Sequence, residues 1–492
     1  MEVRGIGLAV RSLPIVAMLA VGCGSKTEPP PPAPGSAVGS GSATTTLVMP
    51  PAPPAFPEGT RSLELVRTVG VRLTPADDAK RIGTVAIDTR VGWTQTQKGK
   101  GCEKPWVQIQ PRGWICGDYV KASTKPAFGQ EVPQLDRGEI VPGVYGKVTA
   151  PSSVTYSLAK PEKKKKPDKK KKKKGPVTSP DDDDVVEPKA AHMVEDAPIV
   201  GSLNVRQYDE LIVDGKTYWK IAQKENQYVL ASAISKHVPS KYSGGRLGDD
   251  TGWAVPIAFV WPRGGMQQAW ATAKSTGAGA VRQLNARTLV PILETTNDPK
   301  GKPTAFRISE TEWMNVADIR LFQPTAPPPT LGKKERWIDV DLDAQILVAF
   351  EGDVAVYATM VSSGGKETPT ETGVYRMWLK ESEADMKGLN GEDPYSVATV
   401  PWTQFFSPEK GLALHTAYWH DGFGKQRSHG CVNLAPRDAR WLYYWSDPQV
   451  PPGWTMAAGV VEAPGSIVRI RSAADPTPEI KGYAKKVAEQ RP

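Results

Sequence analysis

The sequence predicts a mainly β, multidomain protein. Three observations carry that expectation. At 492 residues the chain is too long for one hydrophobic core, and its length suggests about three or four domains. Gly and Pro number 46 each, roughly a fifth of the chain together, which points to turns and linkers around β-rich modules. The 15 Trp are mostly scattered singly, as in small β-barrels that each bury one or two large rings.

The N-terminus reads as an export signal over 1–22. Arg4 and Arg11 give a positive start, and Ser12 to Val21 give an apolar run too short to span a bilayer. The run ends Leu19-Ala20-Val21-Gly22-Cys23. A small residue before a cysteine resembles a lipoprotein signal, in which Cys23 would carry lipid after cleavage; ordinary cleavage beside an incidental cysteine is the other reading. Residues 23–60 follow as a Gly/Ser/Pro-rich tether without apolar periodicity. Two or three acyl chains would hold such a tether on a membrane stably. Gly24 stands where an Asp would signal inner-membrane retention, so the expected place is exported and periplasm-facing, on an outer membrane.

The four cysteines then divide. Cys102 and Cys116 bracket a short β-like segment and can pair in an oxidising compartment. Cys431 is left over, and an unpaired cysteine in an exported chain suggests a reactive thiol.

Three segments between 62 and 325 resemble one another. The first holds Arg81–Val85, Trp106–Ile109 and Trp114–Val120. The second holds Ile199–Leu203, Trp219–Ile221, Tyr228–Leu230 and Ile234. The third holds Val281–Leu284, Phe306–Ile308, Trp313–Val316 and Ile319. Alternation bounded by turn residues reads as short antiparallel strands. The aromatic anchors at 106, 219 and 306 lie 113 and 87 residues apart, and removing an insert of about 30 residues nearly equalises them. The layout resembles bacterial SH3-like modules, taken here as 61–125, 126–240 and 241–325. The insert, 161–190, carries 11 Lys against 7 acids and so supplies +4 of the formal net charge of +9. Such a block cannot bury a core and reads as disordered, either a solvated loop or a segment attracted to anionic wall polymer or lipid. No basic stripe is interleaved with aromatics elsewhere, so no nucleic-acid partner is expected.

Pro324–Pro329 reads as a proline-rich hinge. A new texture begins near 333. Trp337–Leu342, Ile346–Phe350 and Val354–Val361, separated by turns, predict a β-meander. Arg437–Trp445 reads as a short helix, with Asp438 suiting its dipole. Val468–Ile470 closes the domain at 472, and 473–492 reads as a loose polar tail.

The chemistry gathers late in the chain. Ser428-His429-Gly430-Cys431-Val432-Asn433 places a thiol, an imidazole and a hydroxyl within six positions, and three of the five His (His415, His420, His429) fall between 415 and 429. A thiol beside imidazoles is the raw material of a thiolate nucleophile or of a zinc site. The zinc constellation His415, His420, His429 and Cys431 lacks a paired ligand motif, so no metal and no cofactor are expected.

Residues 333–472 resemble the L,D-transpeptidase (YkuD-type) catalytic domain of bacterial peptidoglycan enzymes. The resemblance rests on Leu414-His415, a short spacer with Tyr418-Trp419-His420 and Phe423-Gly424, then Ser428–Asn433. It extends to Thr368-Pro369-Thr370-Glu371-Thr372-Gly373, where Glu371 replaces the family's proline and makes a less rigid turn. It implies Cys431 as nucleophile and His415 as general base and later acid. Thr416 would help orient the His415 ring. His429 and Gly430 would supply oxyanion-hole backbone, with Ser428 bracing the loop. Tyr418 and Trp419 would line the peptide groove or belong to the core, and His420 would face the substrate or the solvent. Arg427 would meet a substrate carboxylate, and Asn433 would brace the loop. The implied substrate is a peptidoglycan stem peptide, attacked at its third residue with release of D-alanine. The acyl group would pass to an amine on a second stem or on a wall-linked protein. Two alternatives stay open: hydrolysis of stems or wall-protein links on the same scaffold, and a wall-binding tether without catalysis.

Overall fold

The computed structural model describes residues 55–159, 191–248, 251–388 and 395–490. The signal segment, Cys23, most of the tether and the Lys/Asp insert lie outside those residues.

Alternating apolar positions make the N-terminal part a set of short strands. Over 62–123, 144–236 and 257–322 the chain repeats one plan: seven strands, a 3-10 turn and an eighth strand, the third copy adding a further 3-10 turn at Arg263–Gly265. In each copy the fourth, first and eighth strands form one row, and the third, second, seventh, sixth and fifth form another. The rows remain separate among the described residues, so the expected barrels are not closed. Leu63, Val71, Ile82 and Ile115 fill the first copy's core without exposure. The sulfurs of Cys102 and Cys116 are bonded at 2.02 Å.

The meander is present as Arg336–Asp341, Ile346–Glu351 and Val354–Met360. Ile467–Arg471 runs parallel to the first of these, and Gly373–Arg376 lies antiparallel beyond it. Asp339 on the first strand is fully buried between Arg469 (2.8 Å) and Arg471 (3.0 Å). The same arginines donate to the carbonyls of Ala326 and Gln323. The proline-rich stretch is therefore clamped to the domain and does not hinge freely.

A second sheet carries the site. Its centre is a long hairpin, Leu379–Gly388 with Tyr395–Ser407, onto which Leu412–Thr416 and then Val432–Leu434 add. The sheet continues into the repeats on both flanks. Trp454–Ala458 pairs antiparallel with Arg81–Val85 of the first copy. Ser202–Asn204 of the second copy pairs parallel with Tyr395–Val397. Gly83 permits the first junction, because a Cβ there would lie 2.0 Å from the Trp454 ring.

The helix forms at Pro436–Trp445, with Pro at its first turn and Leu442 and Tyr443 buried. Asp438 does more than complement the dipole. It is buried and accepts from Tyr357 Oη (2.7 Å) and Gly244 N (2.9 Å). That grip ties the segment before the third repeat to the C-terminal part, where Gly245–Arg246 adds as an edge strand to Val354–Met360. The expected start of the third module at 241 thus falls in a segment that packs on the meander.

The tail is not loose. Gly482–Gln490 forms an amphipathic helix with Ala484 and Val487 buried, and Val374 exchanges bonds with Glu479 and Lys481. Lys481 also reaches Glu371 at 3.0 Å, as does Lys410. The position expected to loosen the Thr368–Gly373 turn is pinned by two cations.

Candidate active site

Strand pairing brings the two central residues together. Leu412–Thr416 and Val432–Leu434 run parallel, with Leu414 opposite Val432 and His415 opposite Asn433. Cys431 is the residue just before the second strand begins. His415 and Cys431 line one cleft of about 370 Å³, together with Trp419, Arg427, Ser428, His429 and Asn433.

His415 is buried, and its Nδ1 lies 2.9 Å from the carbonyl oxygen of Thr416. A carbonyl can only accept, so Nδ1 carries the proton and Nε2 is left as a base. Burial lowers the His415 pKa to about 4, partly opposed by the Thr416 carbonyl, so the ring is neutral at physiological pH. Cys431 keeps some surface open to the cleft, yet burial pushes its thiol up to about 11, against the opposing pull of the Ala413 amide. The resting pair is a thiol and a neutral imidazole.

The loop that carries Cys431 is held from several sides. Ser428 N and Arg427 N donate to the Ser363 carbonyl at 3.0 and 2.9 Å. Thr370 Oγ1 accepts from Gly364 N (2.8 Å) and donates to the Gly430 carbonyl (2.7 Å). Thr368 Oγ1 donates to the Ser428 carbonyl at 3.3 Å. These bonds give the Thr368–Gly373 turn its physical role. Ser428 Oγ donates to the Cys431 carbonyl and accepts from Gly430 N at 3.2 Å. The Gly430 amide is therefore already engaged within the loop, although its φ of +120° keeps the position suited to glycine. An oxyanion would need other donors than that amide.

Other expected site residues settle differently. Tyr418 is fully buried, stacks on Tyr145 of the second repeat at 4.0 Å and donates to the Ala398 carbonyl. It is core between the parts rather than groove wall. Thr416 orients His415 through its carbonyl, while its hydroxyl is buried without a partner. Trp419 faces the cleft, 5.9 Å from the His415 ring. His429 is exposed and stacks on Tyr395 at 4.5 Å.

His420 is a structural link. Its Nδ1 accepts from Gly422 N at 3.1 Å, so the proton sits on Nε2, 3.1 Å from the Asn433 amide. The amide orientation that offers Oδ1 to Nε2–H satisfies the otherwise orphaned Asn433 oxygen. Burial, with Arg427 and His415 nearby, lowers the His420 pKa to about 4. Among the described residues the only group of three metal-capable atoms within 4.8 Å is Cys102, Cys116 and Asp118, whose sulfurs are spent in the disulfide. The four residues of the zinc alternative do not gather as a ligand set.

Sequence reasoning missed one wall of the cleft. Lys147, Ser202, Asn204 and His237 come from the second repeat, and Met386, Tyr395 and Val397 from the hairpin. Only the pairing of Ser202–Asn204 with Tyr395–Val397 brings them there, and no local motif marks it.

The region that holds the site also matches a known family. Residues 335–470 match the YkuD family model, the L,D-transpeptidase catalytic domain. The protein called "Putative L,D-transpeptidase YciB" in Bacillus subtilis (strain 168) is 26% identical over 153 residues, which cover 26% of this chain and 75% of that protein. A crystal structure of a mutant Enterococcus faecium L,D-transpeptidase is 25% identical, covering 31% of this chain and 55% of that one, with a TM-score of 0.24. The chain thus spans about half the length of that structure. The solution structure of the E. faecium catalytic domain is 27% identical, covering 28% of this chain and 98% of that domain, with a TM-score of 0.22. Residues 335–470 therefore carry an L,D-transpeptidase catalytic domain of the YkuD family, and His415 and Cys431 both lie inside it.

Proposed function

We propose that this protein is a peptidoglycan L,D-transpeptidase acting through Cys431. One observation carries the reading. His415, locked by Thr416 with Nε2 free, shares a cleft with the chain's only unpaired cysteine among the described residues. Nε2 takes the thiol proton as sulfur attacks the carbonyl of the third stem residue. The tetrahedral intermediate collapses, the C–N bond to D-alanine breaks, and the proton on His415 passes to the departing amine. An amine of a second stem, or of a wall-linked protein, then loses a proton to His415 and displaces the thiolate from the thioester. Arg427 is exposed at the cleft and suits the carboxylate of the leaving D-alanine.

The remaining chain fits that task. An acylated Cys23 would anchor the protein to the outer membrane, facing the periplasm, and the SH3-like repeats would hold it on the wall. Disaccharide-tetrapeptide incubated with purified protein, followed by mass spectrometry, tests the reading. Cross-linked dimers with loss of D-alanine support transfer. Tripeptide monomers alone indicate hydrolysis, and no turnover beyond Cys431→Ala leaves the tether.

A further inference from the structure

The wall of the cleft opposite the nucleophile loop belongs to a different repeat, and it is built in register. Lys147 lies directly across from Asn204 in an antiparallel pair. Asn204 lies beside Val397 in a parallel pair, and Val397 across from Met386. Residues opposite one another in a ladder point to the same face. Lys147, Asn204, Val397 and Met386 thus form one row across four strands, and all four line the cleft. Ser202 and Tyr395 form the next row on that face.

The polar members of the row are set to donate. His237 Nε2 lies 2.8 Å from Asn204 Oδ1. The oxygen accepts, so the ring nitrogen donates, and the amide Nδ2 of Asn204 is left with no protein partner among the described residues. Lys147 is exposed and makes no ion pair among the described residues. No Asp or Glu lines the cleft among those residues, whereas Lys147 and Arg427 both do. The hairpin is held to this repeat by the Arg206–Glu383 ion pair and by Tyr145 Oη, which donates to the Thr399 carbonyl at 3.4 Å. Lys147 therefore sits on a braced sheet rather than a free loop.

We propose that Lys147 and Asn204 of the second repeat form a carboxylate subsite that holds an internal carboxylate of the peptide in the cleft. Arg427, adjoining the nucleophile loop, takes the carboxylate of the leaving residue, and Lys147 takes one further along the chain. An ammonium and an amide N–H converging on one anion give charge-assisted hydrogen bonds to it. The second repeat is then a specificity wall of the enzyme as well as a spacer. The proposal rests on the peptide-transfer reading above.

Two measurements separate the proposal from that reading. The Cys431→Ala protein is titrated calorimetrically with a disaccharide-tetrapeptide whose internal carboxylates are free, and with the same compound carrying them as amides. Adding Lys147→Met weakens binding of the free acid about tenfold and leaves the amide unchanged, while Lys147→Arg stays within about threefold. Equal affinity for both proteins, or an equal loss with both peptides, overturns the subsite. Turnover is read separately in protein with Cys431 intact. If that protein turns over no peptide while the calorimetric difference persists, the transfer reading fails and the subsite stands. Alkylation of Cys431 by iodoacetamide, a neutral reagent, proceeds at the same rate in Lys147→Met; a slower rate shows a disturbed fold and sinks the subsite as the cause.

Discussion

The imidazole of His415 is bonded to the carbonyl of the very next residue, Thr416, at 2.9 Å. The base is thus oriented by main chain, with no carboxylate behind it. A main-chain carbonyl survives any side-chain change at 416. We expect Thr416→Val to retain acylation of Cys431 within about threefold and to be no less stable, since the Thr416 hydroxyl is buried without a partner. His415→Gln should slow acylation by about a hundredfold or more. A carbapenem-type β-lactam, followed by intact-protein mass spectrometry, reads both; a large loss in Thr416→Val would show that the hydroxyl matters.

Thr370 links the turn at 368–373 to the nucleophile loop. Its hydroxyl serves Gly364 and Gly430 at once. Thr370→Val leaves a buried amide and carbonyl without partners and should cost about 1–3 kcal/mol, while Thr370→Ser keeps both bonds. Denaturant midpoints of the two variants decide the matter. The acylation rate should fall with stability in Thr370→Val, because the loop carrying Cys431 loses its brace.

Asp339 is fully buried against two arginines that also hold the linker from the third repeat. Removing it strands Arg469 and leaves Arg471 with Asp341 alone, at 3.0 Å. Asp339→Leu should destabilise by about 3–5 kcal/mol. An unchanged urea midpoint would mean that the arginines find another partner.

A buried histidine and a half-buried one make stability depend on pH. The pKa values of His415 and His420 both lie near 4, below the ordinary value of 6.5. Between those limits the unfolded chain binds more protons than the folded one, so stability rises with pH. The contribution is complete above about 6.5 and is lost progressively as pH falls toward 4. Urea midpoints taken from pH 7 to pH 4.5 should fall less steeply in His420→Gln than in wild type. Equal slopes would place the acid sensitivity elsewhere. Acylation should also persist well below pH 6.5, because His415 remains neutral there.

What was readable in the sequence was local. The meander at 336–360, the helix at 436–445 and the His415/Cys431 cluster each announce themselves within a short window. Periodicity also found the three repeats, since each uses one strand order. The cleft wall from Lys147, Asn204 and His237 was not readable, because it depends on a parallel pairing between residues nearly two hundred apart. The terminal helix was missed for a related reason. Its apolar residues are few, and Ala484 and Val487 gain their burial from contacts with distant strands. For Tyr418 the sequence left groove and core equally open, because only the distant Tyr145, stacked on its ring, decides for the core.

The sheet that runs from Trp93–Gln97 through the hairpin to Ile234–Lys236 has a practical consequence for anyone who cuts the gene. Trp454–Ala458 and Tyr395–Ser407 are interior strands only while Arg81–Val85 and Ser202–Gln207 cover them. A fragment that begins at 335 uncovers both rows of amide and carbonyl groups at once. Such bare rims template pairing with other chains, so the isolated fragment should come out as aggregates or as strand-exchanged dimers. The shortest well-behaved fragment therefore begins near residue 55.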